Sequence, residues 1–325
     1  MPKKTEQPHY LHQPLKNKNA IITGASQGLG FAIAKEFLKA GANIAICARD
    51  AKKINAAKEE LARSCNMTPT QKIFAMPADV SDEAEAKELI AKTIKEFGSI
   101  DILVNNAGIL GIAGEIESVD CNEWKKAIDI NLYGPLYVMH YAIPHLKRPD
   151  SQKNHPQKQR QSRGKIINIS GGGATSPMPG LSAYAASKTA VARLTETVAQ
   201  EVAKYNIDCN LVAPGALNTR ILDQIIKAGP NVVGKEFYDK TMQRKKEKTD
   251  ESGAFDLATQ LCVYLASGES DGIYGKMISA VWDPWKTLAK YKKQIMKSDV
   301  YTLRRIIPTD RSKSFAALIK EEQSR

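Results

Sequence analysis

The sequence has 325 residues, of which 42% are hydrophobic, and a formal net charge of +12. This length and apolar content suit one large globular domain with appendages, and the apolar runs are too short to predict a membrane-spanning helix. The five cysteines lie far apart, without the paired spacing of a zinc site or a disulfide framework, so we expect no metal site and a reducing, cytoplasmic location.

The positive charge is concentrated in three segments, residues 1–18, 147–165 and 285–325, and the rest of the chain is mildly acidic. Charge runs of this kind are usually solvated surface. We therefore expect no nucleic-acid partner and no membrane partner. The first segment has no apolar stretch behind its charges, so it does not predict a secretory signal.

Predicted strands and helices alternate along the chain. Short apolar segments typical of buried strands lie at 19–24, 43–48, 72–80, 101–108, 164–170 and 207–215. Helical patterns separate them at 29–41, from residue 50 onward, and at 82–97, 121–146 and 182–204. Strands that are apolar on both faces, between amphipathic helices, predict an α/β fold with one doubly wound parallel sheet and helices on both faces.

A glycine-rich stretch, TGASQGLG at residues 23–30, follows the first strand and opens a helix. Gly24 allows a tight turn, Gly28 lets the backbone approach phosphates, and Gly30 permits close helix–strand packing. The helix N-terminus adds free N–H groups and the positive end of its dipole. The stretch therefore predicts a dinucleotide phosphate site formed by Gly24, Ser26, Gln27, Gly28, Leu29 and Gly30.

The end of the second strand bears on cofactor choice. Arg49 follows it, where an enzyme selective for NAD would place an acidic residue. A guanidinium suits a 2′-phosphate in charge and geometry, and the competing carboxylate, Asp50, is placed to cap the next helix. We therefore expect NADP(H) to be the preferred cofactor, with NAD(H) as the alternative.

Three further motifs stand at characteristic separations: NNAG at 105–108, NIS at 168–170, and Tyr184-x-x-x-Lys188. With the glycine-rich stretch, they resemble the classical short-chain dehydrogenases/reductases, including 3-oxoacyl-ACP-reductase-like members. The resemblance implies a Rossmann-fold catalytic domain over 17–281, with an N-terminal extension at 1–16 and a C-terminal extension at 282–325. It also implies a substrate lid at 216–250. The segment at 147–164 is polar and has no periodicity, which predicts a basic insertion loop.

The resemblance also implies individual roles. Asp79 and Val80 are expected to flank the adenine, Asn106 to contact the cofactor ribose, and Asn131 to hold a proton-relay water. The remaining cofactor contacts expected from the resemblance are Ala107, Gly108, Tyr184, Lys188, Pro214, Gly215, Leu217 and Thr219. Members of this kind assemble as homodimers or homotetramers, which we expect here as well.

Tyr184 and Lys188 lie four residues apart, on one face of a predicted helix. An ammonium beside a phenol stabilises the phenolate and lowers the phenol pKa, as a general acid–base group requires. With the resemblance, this pair predicts an NADP(H)-dependent oxidoreductase that interconverts a carbonyl and a secondary alcohol on a small molecule, with Tyr184 as the proton donor or acceptor and Asn131 and Ser170 completing the catalytic set.

The serine is the point at which the pattern departs from the family. The family's substrate-orienting serine stands thirteen residues before the tyrosine, and that position holds Gly171. Either the glycines shift the turn so that Ser170 reaches the substrate, or no serine serves and Ser176, Ser182, a water or Tyr184 alone polarises the carbonyl. The departure also supports an alternative function, a cofactor-binding regulatory or scaffold protein with impaired catalysis.

The C-terminal extension is the other departure. Trp282 and Trp285 replace a glycine-rich acidic turn, and they form either a packed anchor or a wall facing the substrate. Arg304 and Arg305 either bind an acidic group of the substrate or are solvated, as surface charges usually are.

Overall fold

The computed structural model describes residues 13–147, 163–246, 254–307 and 310, and most of the predicted insertion loop lies outside these ranges. Seven strands form one parallel sheet in the order β3-β2-β1-β4-β5-β6-β7. The strands are β1 Asn19–Thr23, β2 Asn43–Ala48, β3 Ile73–Pro77, β4 Ile102–Asn105, β5 Gly164–Ile169, β6 Ile207–Ala213 and β7 Met277–Ser279. The predicted doubly wound sheet is confirmed, and its strand order reverses between β1 and β4.

Helices cover both faces of this sheet. They are α1 Gly28–Lys39, α2 Ala51–Ser64, α3 Glu83–Phe97, α4 Cys121–Ile128, α5 Gly134–Leu146, α6 Ser182–Val202, α7 Arg220–Ala228, α8 Pro230–Val233, α9 Lys235–Lys246, α10 Ala254–Ala266 and α11 Lys292–Met296. One buried cluster joins the sheet to α1, α2 and α10, and a second joins it to α3, α5 and α6. In open sheets of this kind, ligands bind beyond the carboxyl ends of the strands, where the strand order reverses.

The single helix predicted over 121–146 is interrupted. Between α4 and α5, residues Asp129–Tyr133 form a π-helical turn, in which the Gly134 N–H donates to the Asp129 carbonyl. Pro135 explains the change, because it has no N–H to donate to the carbonyl four residues earlier. The turn holds Asn131, which is 1% exposed, and π-turns within helices are frequent at functional sites.

The C-terminal extension packs back onto the domain. The Met277 N–H donates to the Tyr301 carbonyl at 2.8 Å, so residues after α11 run beside the outer edge of β7. Lys276 Nζ donates to the carbonyls of Ser298 and Val300, both at 2.9 Å. Among the helices in the described ranges, none has both the length and the apolar content to cross a lipid bilayer.

The two tryptophans of this extension have different surroundings. Trp285 is 5% exposed, lies 5.8 Å from Tyr264 between ring centroids, and donates its indole N–H to the Ala280 carbonyl at 3.1 Å. Trp282 is 81% exposed. Trp285 is therefore an anchor, whereas Trp282 is not. Arg304 forms ion pairs with Asp299 and Asp310, so its charge is balanced within the extension.

Candidate active site

The glycine-rich turn between β1 and α1 lies at the strand reversal. Gly24 has φ +65°, and a Cβ there would lie 2.7 Å from the Ala107 Cα, so only glycine lets the ends of β1 and β4 approach this closely. Gly28 has φ +60°, and a Cβ there would meet only Thr219 Cγ2, at 3.9 Å. Gln27 makes no capping hydrogen bond and the first turn of α1 carries no acidic residue, which leaves its N–H groups suited to an anion.

Asn106 braces this turn. Its side-chain NH₂ group donates to the carbonyls of Thr23 at 2.9 Å and Gly24 at 3.2 Å. In return, Thr23 Oγ1 accepts from the backbone N–H groups of Asn106 and Ala107, both at 3.0 Å. The turn is thereby held in place by the protein's own hydrogen bonds. The expected contact of Asn106 with the cofactor ribose stays a prediction.

Asn105, the other asparagine of the NNAG motif, links the sheet to α6. Asn105 Nδ2 donates to Asn168 Oδ1, and Asn168 Nδ2 donates to Thr195 Oγ1, both at 2.8 Å. This buried ladder ties together β4, β5 and the helix that carries Tyr184. Sequence reasoning assigned no role to Asn168 or Thr195, because their pairing depends on the strand order.

The charged groups beyond β2 and β3 face each other. Asp50 accepts a hydrogen bond from the Lys53 N–H at 3.0 Å and so caps α2, as predicted. Arg49 is 59% exposed, with its Nη1 at 3.9 Å from Asp79 Oδ2. The other oxygen of Asp79 accepts from the N–H and hydroxyl of Ser81, which fixes the carboxylate and leaves Arg49 loosely held. Val80, beside Asp79, is buried.

The loop after β6 meets the glycine-rich turn. Pro214 and Leu217 are buried, and the Thr219 N–H donates to the Leu217 carbonyl at 2.9 Å. Gly215 has φ +88° and packs so closely on Val281 that a Cβ would lie 2.7 Å from its Cγ2. The Thr219 side chain lies close to Gly28, since a Cβ on Gly28 would be 3.9 Å from Thr219 Cγ2. The segments predicted to hold the two ends of the cofactor are therefore neighbours.

Tyr184 and Lys188 are both buried, at 7% and 5% exposure. Lys188 Nζ donates to the Ile169 carbonyl at 3.0 Å and lies 5.8 Å from the centroid of the Tyr184 ring. Burial disfavours the charged forms of both groups, so it raises the pKa of Tyr184 to about 12 and lowers the pKa of Lys188 to about 8. The lowered phenol pKa predicted from the sequence is therefore not found, because the burial of Tyr184 outweighs the nearby ammonium. At neutral pH the phenol is protonated and the amine charged, which is the state of a proton donor.

Asn131 lies beside this pair. Its Oδ1 accepts from the Ile109 N–H at 2.8 Å, and its Nδ2 donates to the Ile109 carbonyl and to Ser187 Oγ, both at 2.9 Å. Ser187 in turn donates to the Tyr184 carbonyl at 2.8 Å. A Cβ on Gly108 would lie 3.2 Å from Asn131 Oδ1 and 3.5 Å from Lys188 Nζ, so this glycine leaves room between the two. Sequence reasoning assigned no role to Ser187, although it follows Tyr184 by one helical turn.

The helices α7 to α9 lie over Tyr184 through an apolar cluster. Its buried members are Leu110, Leu181, Tyr184, Ile225 and Val233. Outside this cluster, α7 borders an open groove of about 510 Å³, whose lining includes the cations Arg220 and Lys227. The segment proposed as a lid therefore shields the phenol from water in this conformation.

The three candidate serines have different neighbours. Ser170 is buried, and its Oγ lies 4.0 Å from Met277 Sδ. Ser182 Oγ accepts from the Trp124 indole at 3.0 Å, and Ser176 is exposed. The contacts of the described residues do not join any of these hydroxyls to the Tyr184 oxygen. This arrangement favours the alternative in which no serine polarises the substrate carbonyl.

Ser170→Ala is accordingly expected to lower turnover by less than about threefold, because its hydroxyl packs against a thioether and the scale for an essential catalytic group is 100-fold or more. Turnover and cofactor affinity of this variant should be measured beside Ser176→Ala and Ser182→Ala. A loss in Ser170→Ala well above those of the other two would instead assign it a special role.

Comparison with known proteins agrees with this geometry. The short chain dehydrogenase family profile matches residues 18–229, which include the glycine-rich turn, the NNAG motif, Tyr184 and Lys188. The chain belongs to the short-chain dehydrogenase family. The family assignment confirms the predicted class of enzyme, an oxidoreductase acting on CH–OH or C=O groups, and members of this family bind NAD or NADP.

This short-chain dehydrogenase is similar in sequence to several curated proteins and in fold to several solved structures. The D-beta-hydroxybutyrate dehydrogenase of Rhizobium meliloti is 31% identical over 265 residues, covering 81% of this chain and 96% of that protein. The 11-beta-hydroxysteroid dehydrogenase-like 3 of Arabidopsis thaliana is 35% identical over 202 residues, covering 62% of this chain and only 60% of the relative. The structure of Pseudomonas aeruginosa RhlG, an NADP active-site complex, has a TM-score of 0.65, 26% identity, and coverage of 84% of this chain and 97% of that one.

Proposed function

We propose that the protein is an NADP(H)-dependent oxidoreductase that interconverts a carbonyl and a secondary alcohol on a small molecule, with Tyr184 as the proton donor or acceptor. The observation that carries this proposal is the buried phenol of Tyr184, whose helix also brings the Lys188 ammonium to the end of β5. A phenol shielded from solvent and close to an amine has the functional groups of a general acid–base pair.

The residues around the glycine-rich turn fit a nicotinamide dinucleotide. The turn offers uncapped N–H groups at a helix N-terminus, and Gly28 lies close to Thr219. Once bound, the cofactor supplies the hydride that is exchanged with the substrate carbon. Arg49 and the commitment of Asp50 to the cap of α2 support a preference for NADP(H).

Proton transfer is carried out by the protein's own side chains. In carbonyl reduction, Tyr184 protonates the oxygen that becomes the alcohol, and the Lys188 ammonium stabilises the phenolate left behind. Asn131, through Ser187, holds the backbone of Tyr184 at the start of α6. In alcohol oxidation the same proton moves in the opposite direction, onto the tyrosine.

The test has two stages. NADPH and NADH are titrated into the purified protein and followed by fluorescence, and the loaded protein is then assayed with sugar, steroid, acyl-thioester and small keto compounds. Cofactor binding followed by oxidation of NADPH on at least one carbonyl supports the proposal. Tight binding without turnover on any class of carbonyl would favour the alternative, a cofactor-binding regulatory or scaffold protein.

Assembly and location stay predictions from the family resemblance. The exposed side chains of Tyr133 and Leu136, at 42% and 38%, lie where the π-turn leads into α5, and they support the expected homodimer or homotetramer. A cytoplasmic location is proposed from the cysteine pattern alone.

A further inference from the structure

The glycine at the position of the family's serine lies against Tyr184. A Cβ built on Gly171 would overlap the Tyr184 hydroxyl oxygen and lie 2.8 Å from its Cζ and 3.1 Å from its Cε1. Real Cβ atoms do not approach other atoms this closely, so a side chain at position 171 and the phenol in its present position exclude each other. The hydroxyl of Tyr184 occupies the volume that the serine side chain would need.

The backbone at this position does not itself require glycine. Gly171 has φ −158° and ψ 172°, an extended conformation that any residue adopts. The requirement is therefore one of space alone. Gly172, its neighbour, is different, because a Cβ there would meet only Met178 Sδ at an ordinary 3.9 Å.

Gly173 explains why the turn lies so close to the tyrosine. A Cβ on Gly173 would lie 2.8 Å from the Ala185 Cβ, and the Gly173 carbonyl accepts from Thr189 Oγ1 at 3.0 Å. The turn thus rests directly on the first turns of α6, beside Tyr184. Of three consecutive glycines, the first and third leave no room for a Cβ against α6, whereas a Cβ on the second would meet no atom of α6 within 4 Å.

We propose that Gly171 is a positioning residue for Tyr184, because its missing side chain provides the space in which the catalytic hydroxyl sits. The absence of the family's serine is then a requirement of this site and not a sign of lost catalysis. It follows that restoring the serine displaces the phenol and lowers activity. The inference rests on the proposed function for its catalytic part, whereas its steric part stands on the contact alone.

The steric part is tested by a double-mutant cycle on the full chain, followed by thermal unfolding. Gly171→Ala is expected to lower Tm by roughly 2–12 °C, because overpacking costs about 1–3 kcal/mol and each kcal/mol shifts Tm by about 2–4 °C in a large domain. In a Tyr184→Ala background, which removes the ring, the same change should lower Tm by less than about 2 °C. Gly172→Ala is the matched control and should shift Tm equally in both backgrounds.

The catalytic part is tested with Gly171→Ser, assayed with whichever carbonyl substrate the panel identifies. Turnover should fall at least ~30-fold, toward the loss expected without the phenol, with the NADPH dissociation constant nearly unchanged and Gly172→Ala fully active.

Three outcomes would overturn the proposal. They are a Gly171→Ala shift in Tm that is absent or equal in both backgrounds, a Gly171→Ser variant as active as the wild type or more so, and a loss of turnover in Gly172→Ala as large as in Gly171→Ser. The Tm cycle needs no substrate. A protein that couples the two positions in Tm but shows no turnover on any carbonyl would therefore contradict the proposed function while leaving the steric contact established.

Discussion

Replacing Tyr184 with phenylalanine is expected to lower turnover of a carbonyl substrate at least ~100-fold, the scale typical of a general acid–base group. The change removes only the phenolic oxygen, and the ring keeps its packing with Leu110, Leu181 and Ile225. Because the ring and the backbone of α6 stay in place, the NADPH dissociation constant should change little. Steady-state turnover and a fluorescence titration on the same preparation measure both quantities.

Tyr264→Phe is the matched control for this substitution. Tyr264 is also buried, at 7% exposure, but it lies on α10 against Trp285, in a different apolar cluster from Tyr184. It should keep wild-type turnover. If Tyr184→Phe retained a rate within a few-fold of the wild type, the assignment of the proton donor to this residue would be wrong.

Features set by local sequence were predicted well. The glycine-rich turn, the cap of α2 by Asp50 and the spacing of Tyr184 and Lys188 each depend on a few consecutive residues, whose backbone preferences fix the geometry. Parallel strands could be recognised in the same way, because apolar runs between amphipathic helices indicate burial on both faces. The doubly wound fold follows from them because few connections are allowed, whereas the strand order was not predicted.

Features set by tertiary contact could not be predicted in this way. The π-turn at Asn131 lies within a helical pattern that continues across it, and only the missing N–H of Pro135 indicates the break. The contact between Gly171 and Tyr184 joins residues of two elements, and its distance depends on how Gly173 rests on α6. From sequence, Gly171 indicates only that a side chain is missing. The reason for its absence is the space taken by the phenol.

We expect cofactor selection to depend on the surroundings of Arg49. NADPH differs from NADH by a phosphate on the adenosine ribose, and a cation must compensate for the water that this phosphate loses on binding. Asp50, the nearest competitor for the ribose hydroxyls, is held as the cap of α2. Asp79 Oδ2 lies 3.9 Å from Arg49 Nη1, and an exposed ion pair at this distance contributes little free energy. We therefore expect a bound phosphate to replace Asp79 as the partner of the guanidinium.

Arg49→Ala is therefore expected to weaken NADPH binding by roughly 10- to 150-fold, since a charge-assisted contact contributes ~1.5–3 kcal/mol and each ~1.4 kcal/mol is tenfold. NADH binding should change little, because NADH has no phosphate at this position. Dissociation constants for both cofactors test this expectation. They should be measured at low and at moderate salt, because salt screens the contribution of an exposed cation. Arg63→Ala, which removes the same charge from the last turn of α2, is the control and should affect neither cofactor. Equal losses for NADPH and NADH in Arg49→Ala, or a wild type that prefers NADH, would refute a phosphate-binding role for Arg49 and leave Asp79 as the residue to test next.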